Sequence, residues 1–265
     1  MRLEFPTKYE VDYPKENKKY YSQTYKKDIQ RVLLEASKNY CMYCGKNLKI
    51  DSNFQFDIEH SIEKAGDEKN QKIDFLMHCK FNLSVACRSC NQIYKKRMIE
   101  KLKAEIIEKN INCSKLTCKT PCKEYLDIKK EYLNLNSIIL QPMGVCFGEN
   151  RQCKIEYDLL KHIFKPLIDE KTSVNEVNFI QEHISRFHLN REMFSECILE
   201  ISEMIIVLIE EFGENISISS MIKVLSIQTY NNVIGEIYIK FIDHYFNDVK
   251  QLYEFCKLMI VIDYI

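Results

Sequence analysis

Two Cys-x-x-Cys pairs are the residues of this sequence best suited to metal chemistry. Cys41 and Cys44 form the first pair, with Gly45 directly after it, and Cys87 and Cys90 form the second. Two such turns can present four thiolates at about 2.3 Å from one tetrahedral zinc ion. A site of four cysteines has no open coordination position, so we predict a structural zinc and expect catalysis from other residues. Four buried thiols without a metal are the alternative.

The segment between the two pairs contains Asp57-Ile58-Glu59-His60. Hydrolysis of a phosphodiester needs activated water, stabilisation of charge on the phosphate and help for the leaving alkoxide, and a His base with one divalent metal can meet these needs. His60 is the candidate base. Glu59 beside it and Asn91, directly after the second Cys pair, offer hard oxygen ligands suited to Mg²⁺ or Mn²⁺.

Residues 40–98 resemble the HNH, or ββα-metal, endonuclease family. The matching motifs are the acid-His pair Glu59-His60, the pair Asn82-Leu83 before the second Cys pair, and the Cys-x-x-Cys-Asn-x-x-x-Lys run from Cys87 to Lys95. Many family members carry His where this chain has Asn91, and the Asn variant also occurs among active members. The resemblance implies a DNA endonuclease with a structural Zn²⁺ and a catalytic Mg²⁺ or Mn²⁺.

The same resemblance implies a role for each matched position. His60 is the base, Glu59 and Asn91 bind the catalytic metal, and Asn82 holds the loop that carries the base through hydrogen bonds to the backbone. Asp57, two residues before Glu59 on the same strand face, could bind metal or orient His60, or be a solvated or salt-bridged carboxylate.

Basic residues in and after the motif are candidate phosphate contacts. They are Lys64, Arg88, Lys95, Lys96 and Arg97. A solvated helix face is the alternative for these side chains. His78 is near the motif, but a lone His is more often structural. A second metal site could be built from Cys113, Cys118 and Cys122 with Cys146 or Cys153. The alternative is that these cysteines are ordinary buried thiols.

Charge is unevenly distributed along the chain, although the net charge is zero. Residues 1–130 carry 27 Lys and Arg against 18 Asp and Glu, and residues 131–265 carry 11 against 20. A basic half suits a polyanion, so we expect nucleic-acid contact before about residue 130. Unequal solvated faces without a partner are the alternative.

The apolar runs are too short for a membrane span, which needs roughly 20 residues. The charged segment from Met1 to Lys19 does not look like a secretory signal. We therefore expect a cytoplasmic protein without membrane contact, whose thiols stay reduced and hold metal rather than form disulfides.

Hydrophobic periodicity predicts the elements that position these residues. The predictions before residue 110 are an extended arm over 1–20, a helix from Ser22 to Ser37, a tight turn at 40–49, strands over Phe54–His60 and around Leu83–Ala86, and a helix from about Ser89 to Lys109. Beyond an irregular stretch at 110–155, the predictions are helices at 156–168, 175–187, 190–212 with Asn190 as N-cap, 218–226 and 233–262.

The expected fold class is α+β: a small ββα-metal HNH module with a four-cysteine zinc knuckle, embedded in a mostly α-helical protein. The expected units are an N-terminal arm and helix (1–37), the HNH nuclease module (38–110), a Cys-containing irregular connector (111–155) and a helical C-terminal domain (156–265). The Met and Ile stripes of the last unit are typical of a core.

A second resemblance concerns the segment from Ile184 to Arg191 and the helix after it. It is similar to HNH proteins of bacterial anti-phage systems, including Septu-type and retron-linked nucleases that work beside an ATPase subunit. The resemblance implies a role in antiviral defence and an ATPase partner for the acidic half. We expect DNA rather than RNA as the substrate only because DNA is the more frequent substrate in the family that the chain resembles.

The sequence is also compatible with two functions other than that of a nuclease that acts alone. One is a non-catalytic zinc-knuckle subunit that binds nucleic acid or acts as a scaffold, in which the Glu59-His60 pair is vestigial. The other is an interaction subunit that is inert until it joins an ATPase. Its supporting feature is the acidic helical half.

Overall fold

The structure is a computed structural model that mixes helices with short strands, which confirms the predicted combination of the two. It describes residues 1–16, 18–50, 53–64, 73–95, 98, 118–148 and 151–263. The strands are β1 (Arg2–Phe5), β2 (Lys49–Ile50), β3 (Asn53–Phe54), β4 (Asp57–His60), β5 (Leu83–Ala86), β6 (Cys146–Phe147), β7 (Arg151–Gln152), β8 (Ile155–Asp158) and β9 (Ile163–Pro166). The helices are α1 (Lys26–Ser37), α2 (Asp74–His78), α3 (Lys123–Leu135), α4 (Val174–Arg186), α5 (Glu192–Phe212), α6 (Ile218–Ser226), α7 (Val233–Tyr245) and α8 (Val249–Asp263).

The strands β4 and β5 form an antiparallel pair in which Asp57 lies opposite Ala86 and His60 opposite Leu83. The predicted strand at 83–86 is confirmed, whereas the predicted strand over 54–60 is divided between β3 and β4. A π-helical turn (Ser89–Tyr94) follows β5. The remainder of the helix predicted to Lys109 lies outside the described residues, apart from Lys95 and Met98.

A three-stranded antiparallel sheet joins the N-terminal strand to the middle of the chain in the order β1-β8-β9. The helix predicted at 156–168 is therefore wrong. Ile155 and Tyr157 are buried on β8 and pair with Phe5 and Leu3 of β1, so the apolar side chains recur every second residue. The N-terminal arm accordingly belongs in part to this sheet.

The C-terminal helices largely match the predicted spans. Helices α4 and α6 begin and end within one residue of prediction, and Ser173 caps α4 by accepting a hydrogen bond from the Glu176 backbone. The predicted N-cap Asn190 is wrong, because Arg191 occupies that position and the Asn190 amide bonds the backbone of Phe164 on β9. Among the described residues, no helix is long and apolar enough to cross a membrane.

The helix predicted over 233–262 is two helices, α7 and α8. The break comes at Phe246, whose backbone is extended and whose ring packs 4.9 Å from that of Phe255. Asp248 then accepts a hydrogen bond from the Gln251 backbone at 2.7 Å and starts α8. Helix α3 also departs from the predicted irregular stretch, and it buries Tyr125, Ile128 and Tyr132 along one face.

His183 on α4 joins three parts of the core. Its side chain is 1% exposed, and its Nδ1 accepts a hydrogen bond from the Ile139 backbone at 3.0 Å. Burial lowers the pKa of His183 to about 3, while a hydrogen bond to the Tyr43 backbone opposes the shift. The imidazole is therefore neutral in the folded protein and must remain neutral for α4 to stay packed.

We expect His183 to make stability fall with acidity. The unfolded chain binds a proton near pH 6.5 and the folded chain only near pH 3, so this contribution is present above about pH 6.5 and is lost as pH falls. Between about pH 7.5 and about pH 5.5, wild type should lose about 1.4 kcal/mol more than His183→Asn, which keeps an acceptor but does not titrate.

The measurement is the free energy of unfolding in urea at each pH. The contributions of the other buried histidines to the pH dependence cancel, because wild type and His183→Asn both contain them. Parallel pH dependences for the two proteins would contradict the assignment.

Candidate metal centre and adjoining histidine site

The four predicted cysteines of the two Cys-x-x-Cys pairs form one buried cluster. The Sγ atoms of Cys41, Cys44, Cys87 and Cys90 all lie within 4.8 Å of one another, and the Cys44 and Cys87 sulfurs are 3.9 Å apart. Tetrahedral ligands at about 2.3 Å from zinc are themselves about 3.8 Å apart. The cluster could therefore hold a metal such as zinc, and its all-thiol donor set fits that ion.

Protonation within the cluster is uneven. Hydrogen bonds from Cys41, Cys44 and Cys90 hold the pKa of the Cys87 thiol well below its usual range, whereas burial and neighbouring thiols raise the pKa of Cys90. A bound cation would favour deprotonation of the remaining thiols, since metal ligation requires thiolates.

Residues at the start of α7 contact the turn that carries the first Cys pair. Gly45 has φ +70°, and a Cβ atom there would come within 2.7 Å of the Val233 side chain. The Asn232 amide donates to the Cys44 carbonyl at 2.9 Å, and the Val233 backbone donates to the Gly45 carbonyl at 2.8 Å. The Met42 backbone also bonds Val85 of β5 at 3.1 Å, which fixes the turn against the hairpin.

Asn82 holds the segment that follows β4. Its side chain accepts from the Ile62 backbone N–H at 2.8 Å and donates to the carbonyls of Ile62 and Leu76 at 2.8 and 2.9 Å. Asn82 is fully buried, and the Tyr125 hydroxyl of α3 approaches the same Oδ1 at 3.3 Å. These are bonds to backbone of the kind that the family resemblance implies for this position.

His60 ends β4 and is 7% exposed. Its Nε2 lies 3.1 Å from the Met77 carbonyl. Since a carbonyl can only accept, Nε2 donates and Nδ1 keeps its lone pair. Burial lowers the pKa of His60 to about 3, and the nearby charge of Lys64 acts in the same direction. The imidazole is therefore neutral and oriented, with a lower basicity than a free imidazole.

Glu59 points into the protein, where its carboxylate is fully engaged. It is 2% exposed and accepts hydrogen bonds from the Tyr43 and Ser84 hydroxyls, both at 2.7 Å. Lys95 forms an ion pair with it. The metal role that the resemblance gives to Glu59 therefore requires this ion pair to open.

Lys95 does not lie on a nucleic-acid surface, so the prediction of a phosphate contact for it is not supported. Its side chain is 3% exposed, and its ammonium group bonds the His60 and Ser61 carbonyls as well as Glu59. Glu63 lies 3.7 Å away. Lys95 thus stabilises the backbone that carries His60, because a buried ammonium group needs several oxygen partners.

Asp57 and Asn91 are brought together at the more open end of the hairpin. The Asn91 amide donates to Asp57 Oδ2 at 3.0 Å, and Gln92 donates to the same oxygen at 2.9 Å. Asp57 and Asn91 are half-buried. For Asp57 the sequence left three roles open, namely metal binding, orientation of His60 and a solvated or salt-bridged carboxylate; in the structure it is the carboxylate that contacts Asn91.

The other predicted residues are more scattered. Arg88 is exposed and Lys64 is half-buried, while Lys96 and Arg97 lie outside the described residues. Within the described part of the chain, the cluster of Cys41, Cys44, Cys87 and Cys90 is the group of potential metal ligands that the structure assembles. Of the residues named for a second metal site, Cys146 is exposed, Cys153 is buried, Cys118 and Cys122 are half-buried and Cys113 lies outside the described residues.

A buried polar chain behind Glu59 was missed from the sequence. The Tyr132 hydroxyl donates to Glu63 at 2.6 Å, Asn136 donates to Tyr132 at 2.7 Å, and Arg186 bonds Asn136. Burial raises the pKa of Glu63. Tyr132 and Asn136 belong to α3 and its C-terminal cap, whereas Glu63 follows β4 and Arg186 ends α4, so no local motif predicts that the three segments meet. They link the hairpin to α3 and α4.

Comparison with known proteins identifies no relative. No family model matches the chain, no curated protein matches it, and no solved structure matches it. Function is accordingly proposed from the motifs and from the contacts around His60.

Removal of the buried ammonium group should strongly destabilise the protein. Lys95→Met leaves Glu59 charged and without its cation, so we expect the free energy of unfolding to fall by about 3–5 kcal/mol. The measurement is urea unfolding monitored by circular dichroism. Adding Glu59→Gln to Lys95→Met should recover part of the loss, because the unpaired charge is then removed.

Lys154→Met is the matched control, because Lys154 forms an exposed ion pair with Glu4 at 3.0 Å. Its effect should stay below about 1 kcal/mol. Equal effects of the two lysine substitutions would contradict an internal role for Lys95.

Proposed function

We propose that this chain is a metal-dependent endonuclease of the HNH class, which hydrolyses DNA phosphodiester bonds with His60 as the base. The observation that carries the proposal is the setting of His60. A neutral imidazole ends β4, its Nε2 is held by the Met77 carbonyl at 3.1 Å, and its Nδ1 lone pair remains for a proton. The Asn82 bonds to Ile62 support the segment that follows it.

The surrounding strands and the helical turn support the same assignment. The antiparallel pair of β4 and β5, followed by the turn at Ser89–Tyr94, is the order expected of a ββα-metal module. The four-cysteine cluster ties the ends of this module together and leaves no ligand position for substrate. Chemistry therefore falls to residues outside the cluster, with His60 as the proposed base.

A catalytic divalent cation fits Asp57 and Asn91 better than Glu59. The first two side chains contact one another and are half-buried, whereas Glu59 is enclosed and paired with Lys95. Carboxylate and amide oxygens suit Mg²⁺ or Mn²⁺. A cation bound there would supply stabilisation of the phosphate charge and of the leaving alkoxide. The chain's own contribution is to orient the His60 base and to hold Asp57 and Asn91 on adjoining elements.

A non-catalytic nucleic-acid-binding or scaffold subunit is the second candidate. The closed ion pair between Glu59 and Lys95 favours it, because this pair occupies the carboxylate that the motif assigns to metal. In that protein the cysteine cluster and the basic N-terminal half would bind nucleic acid without cutting it.

Bacterial antiviral defence with an ATPase partner is a further part of the proposal. Its sequence support is the segment 184–191. Several of its residues have packing roles: Arg186 bonds Asn136, Leu189 is buried, and Arg191 lies over the Phe194 ring. The acidic charge of residues 131–265 remains the support for a docking function.

Nicking of supercoiled plasmid DNA tests the proposed activity. Zinc-loaded wild type with Mg²⁺ or Mn²⁺ should nick the plasmid, and His60→Ala should lose about 100-fold or more of the rate, since a general base contributes that much. His244→Ala is the matched control, because His244 is an exposed histidine on α7, and it should nick at the wild-type rate.

Asp57→Asn separates the two metal assignments. It should weaken the apparent affinity for Mg²⁺ in the nicking assay, because it removes the carboxylate that contacts Asn91. If wild type and His60→Ala are both folded and zinc-loaded and neither cuts with Mg²⁺ or Mn²⁺, the scaffold function or an inert subunit awaiting its ATPase replaces the free-standing nuclease. Rescue of cutting by a co-purified ATPase distinguishes the two.

A further inference from the structure

The Tyr21 ring lies directly beside His60, and two lysines lie over the Tyr21 ring. The Tyr21 ring packs edge-to-face on the His60 ring with centroids 4.6 Å apart. The Lys64 ammonium group is 3.5 Å from the Tyr21 centroid, and that of Lys26 is 5.2 Å from it. Lys64 follows β4, while Tyr21 and Lys26 come from the N-terminal arm and the start of α1. Two separate segments thus place positive charge on one aromatic ring.

Neither of these two ammonium groups is neutralised by a carboxylate in the described part of the chain. The adjoining pair is different: Lys18 lies 4.8 Å from the Tyr25 centroid but also forms an ion pair with Glu16 at 2.9 Å. Tyr21, Lys26 and Lys64 are half-buried, so their positions are constrained and their polar ends can still meet a ligand. Within the described residues, two lysines without a carboxylate partner thus lie over the ring that packs on His60.

The arm that carries Tyr21 is anchored on both sides of it. The preceding Tyr20 is 1% exposed, and its hydroxyl bonds the Glu16 carbonyl at 2.5 Å. The Pro14 carbonyl accepts a hydrogen bond from Lys80 at 2.9 Å, and α1 begins at Lys26. The position of Tyr21 against His60 is therefore a feature of the folded chain.

We propose that Tyr21, Lys26 and Lys64 form the surface that binds the phosphodiester backbone of DNA and delivers it to His60. The inference rests on the proposed function, and it gives the N-terminal arm a role in substrate binding. Lysine ammonium groups contact phosphates as point charges, and a tyrosine hydroxyl is a further phosphate donor. Lys26 and Lys64 lie over the ring that packs on His60. A DNA strand held by these two ammonium groups would therefore run past the His60 ring.

The test is binding of a fluorescein-labelled DNA duplex to the full, zinc-loaded chain without Mg²⁺ or Mn²⁺. Fluorescence anisotropy gives the binding constant across a salt series from about 50 to about 200 mM NaCl. Each lost phosphate contact lowers the steepness of log K against log salt by about 0.9. The double variant Lys26→Ala with Lys64→Ala should therefore lower it by about 1.8. Tyr21→Ala should weaken binding in the same series.

Lys257→Ala is the matched control, because Lys257 also lies over a tyrosine, 4.7 Å from the Tyr253 centroid, but on α8. It should bind DNA with the wild-type affinity and salt dependence. Zinc content and circular dichroism establish that each variant is folded. An unchanged salt dependence in the folded double variant would overturn the inference, as would a wild type that does not bind the duplex.

The binding assay contains no catalytic metal, so its outcome is separate from that of the cutting assay. A chain that binds with the expected salt dependence but never cuts retains this surface and loses the nuclease function. A chain that cuts while the double variant binds like wild type retains the nuclease function and loses this surface.

Discussion

Four cysteine thiols form a cluster between the turn after α1 and the end of β5. The position of the hairpin that carries His60 depends on this cluster. Cys41 and Cys44 belong to one side and Cys87 and Cys90 to the other, with all sulfurs within 4.8 Å. The paired β4 and β5 are only four residues long, and so short a hairpin needs packing or a covalent or metal tie for stability. A metal such as zinc, held by the four cysteines, could supply that tie. Through Asn232 and Val233, the same turn also binds the C-terminal helices.

Charge inside the hairpin is arranged around Lys95. Its ammonium group neutralises Glu59 and bonds two carbonyls next to His60, so the backbone that carries the imidazole is fixed from within. Asp57 and Asn91 stay at the more open end, where they contact each other. The structure therefore separates a buried carboxylate, Glu59, which is paired with Lys95, from a half-buried one, Asp57, which accepts hydrogen bonds from Asn91 and Gln92. Burial of His60 completes the arrangement by keeping its imidazole neutral.

Short-range features were predictable from sequence, and long-range partners were not. The Cys pairs follow from local spacing, the strand at 83–86 was predicted at its position, and α4 follows from apolar residues at helical intervals. The pairing of Lys95 with Glu59 depends on how a turn folds back on a strand, which neither segment encodes alone. The segment around Tyr157 was predicted to be helical, because a short apolar run is compatible with both the helical and the strand periodicity. Its strand conformation depends on pairing with β1, which is distant in sequence. Tyr21 reaches His60 only through the anchored arm.

X-ray absorption at the zinc edge, on protein purified without added metal, tests the central claim most directly. We expect one zinc bound at the four-cysteine cluster, coordinated by four sulfur atoms at about 2.3 Å. Cys87→Ser should replace one sulfur by a lighter ligand or abolish binding. A folded wild-type protein with no zinc, or a zinc shell dominated by nitrogen and oxygen, would contradict the claim that Cys41, Cys44, Cys87 and Cys90 hold the hairpin together through a metal.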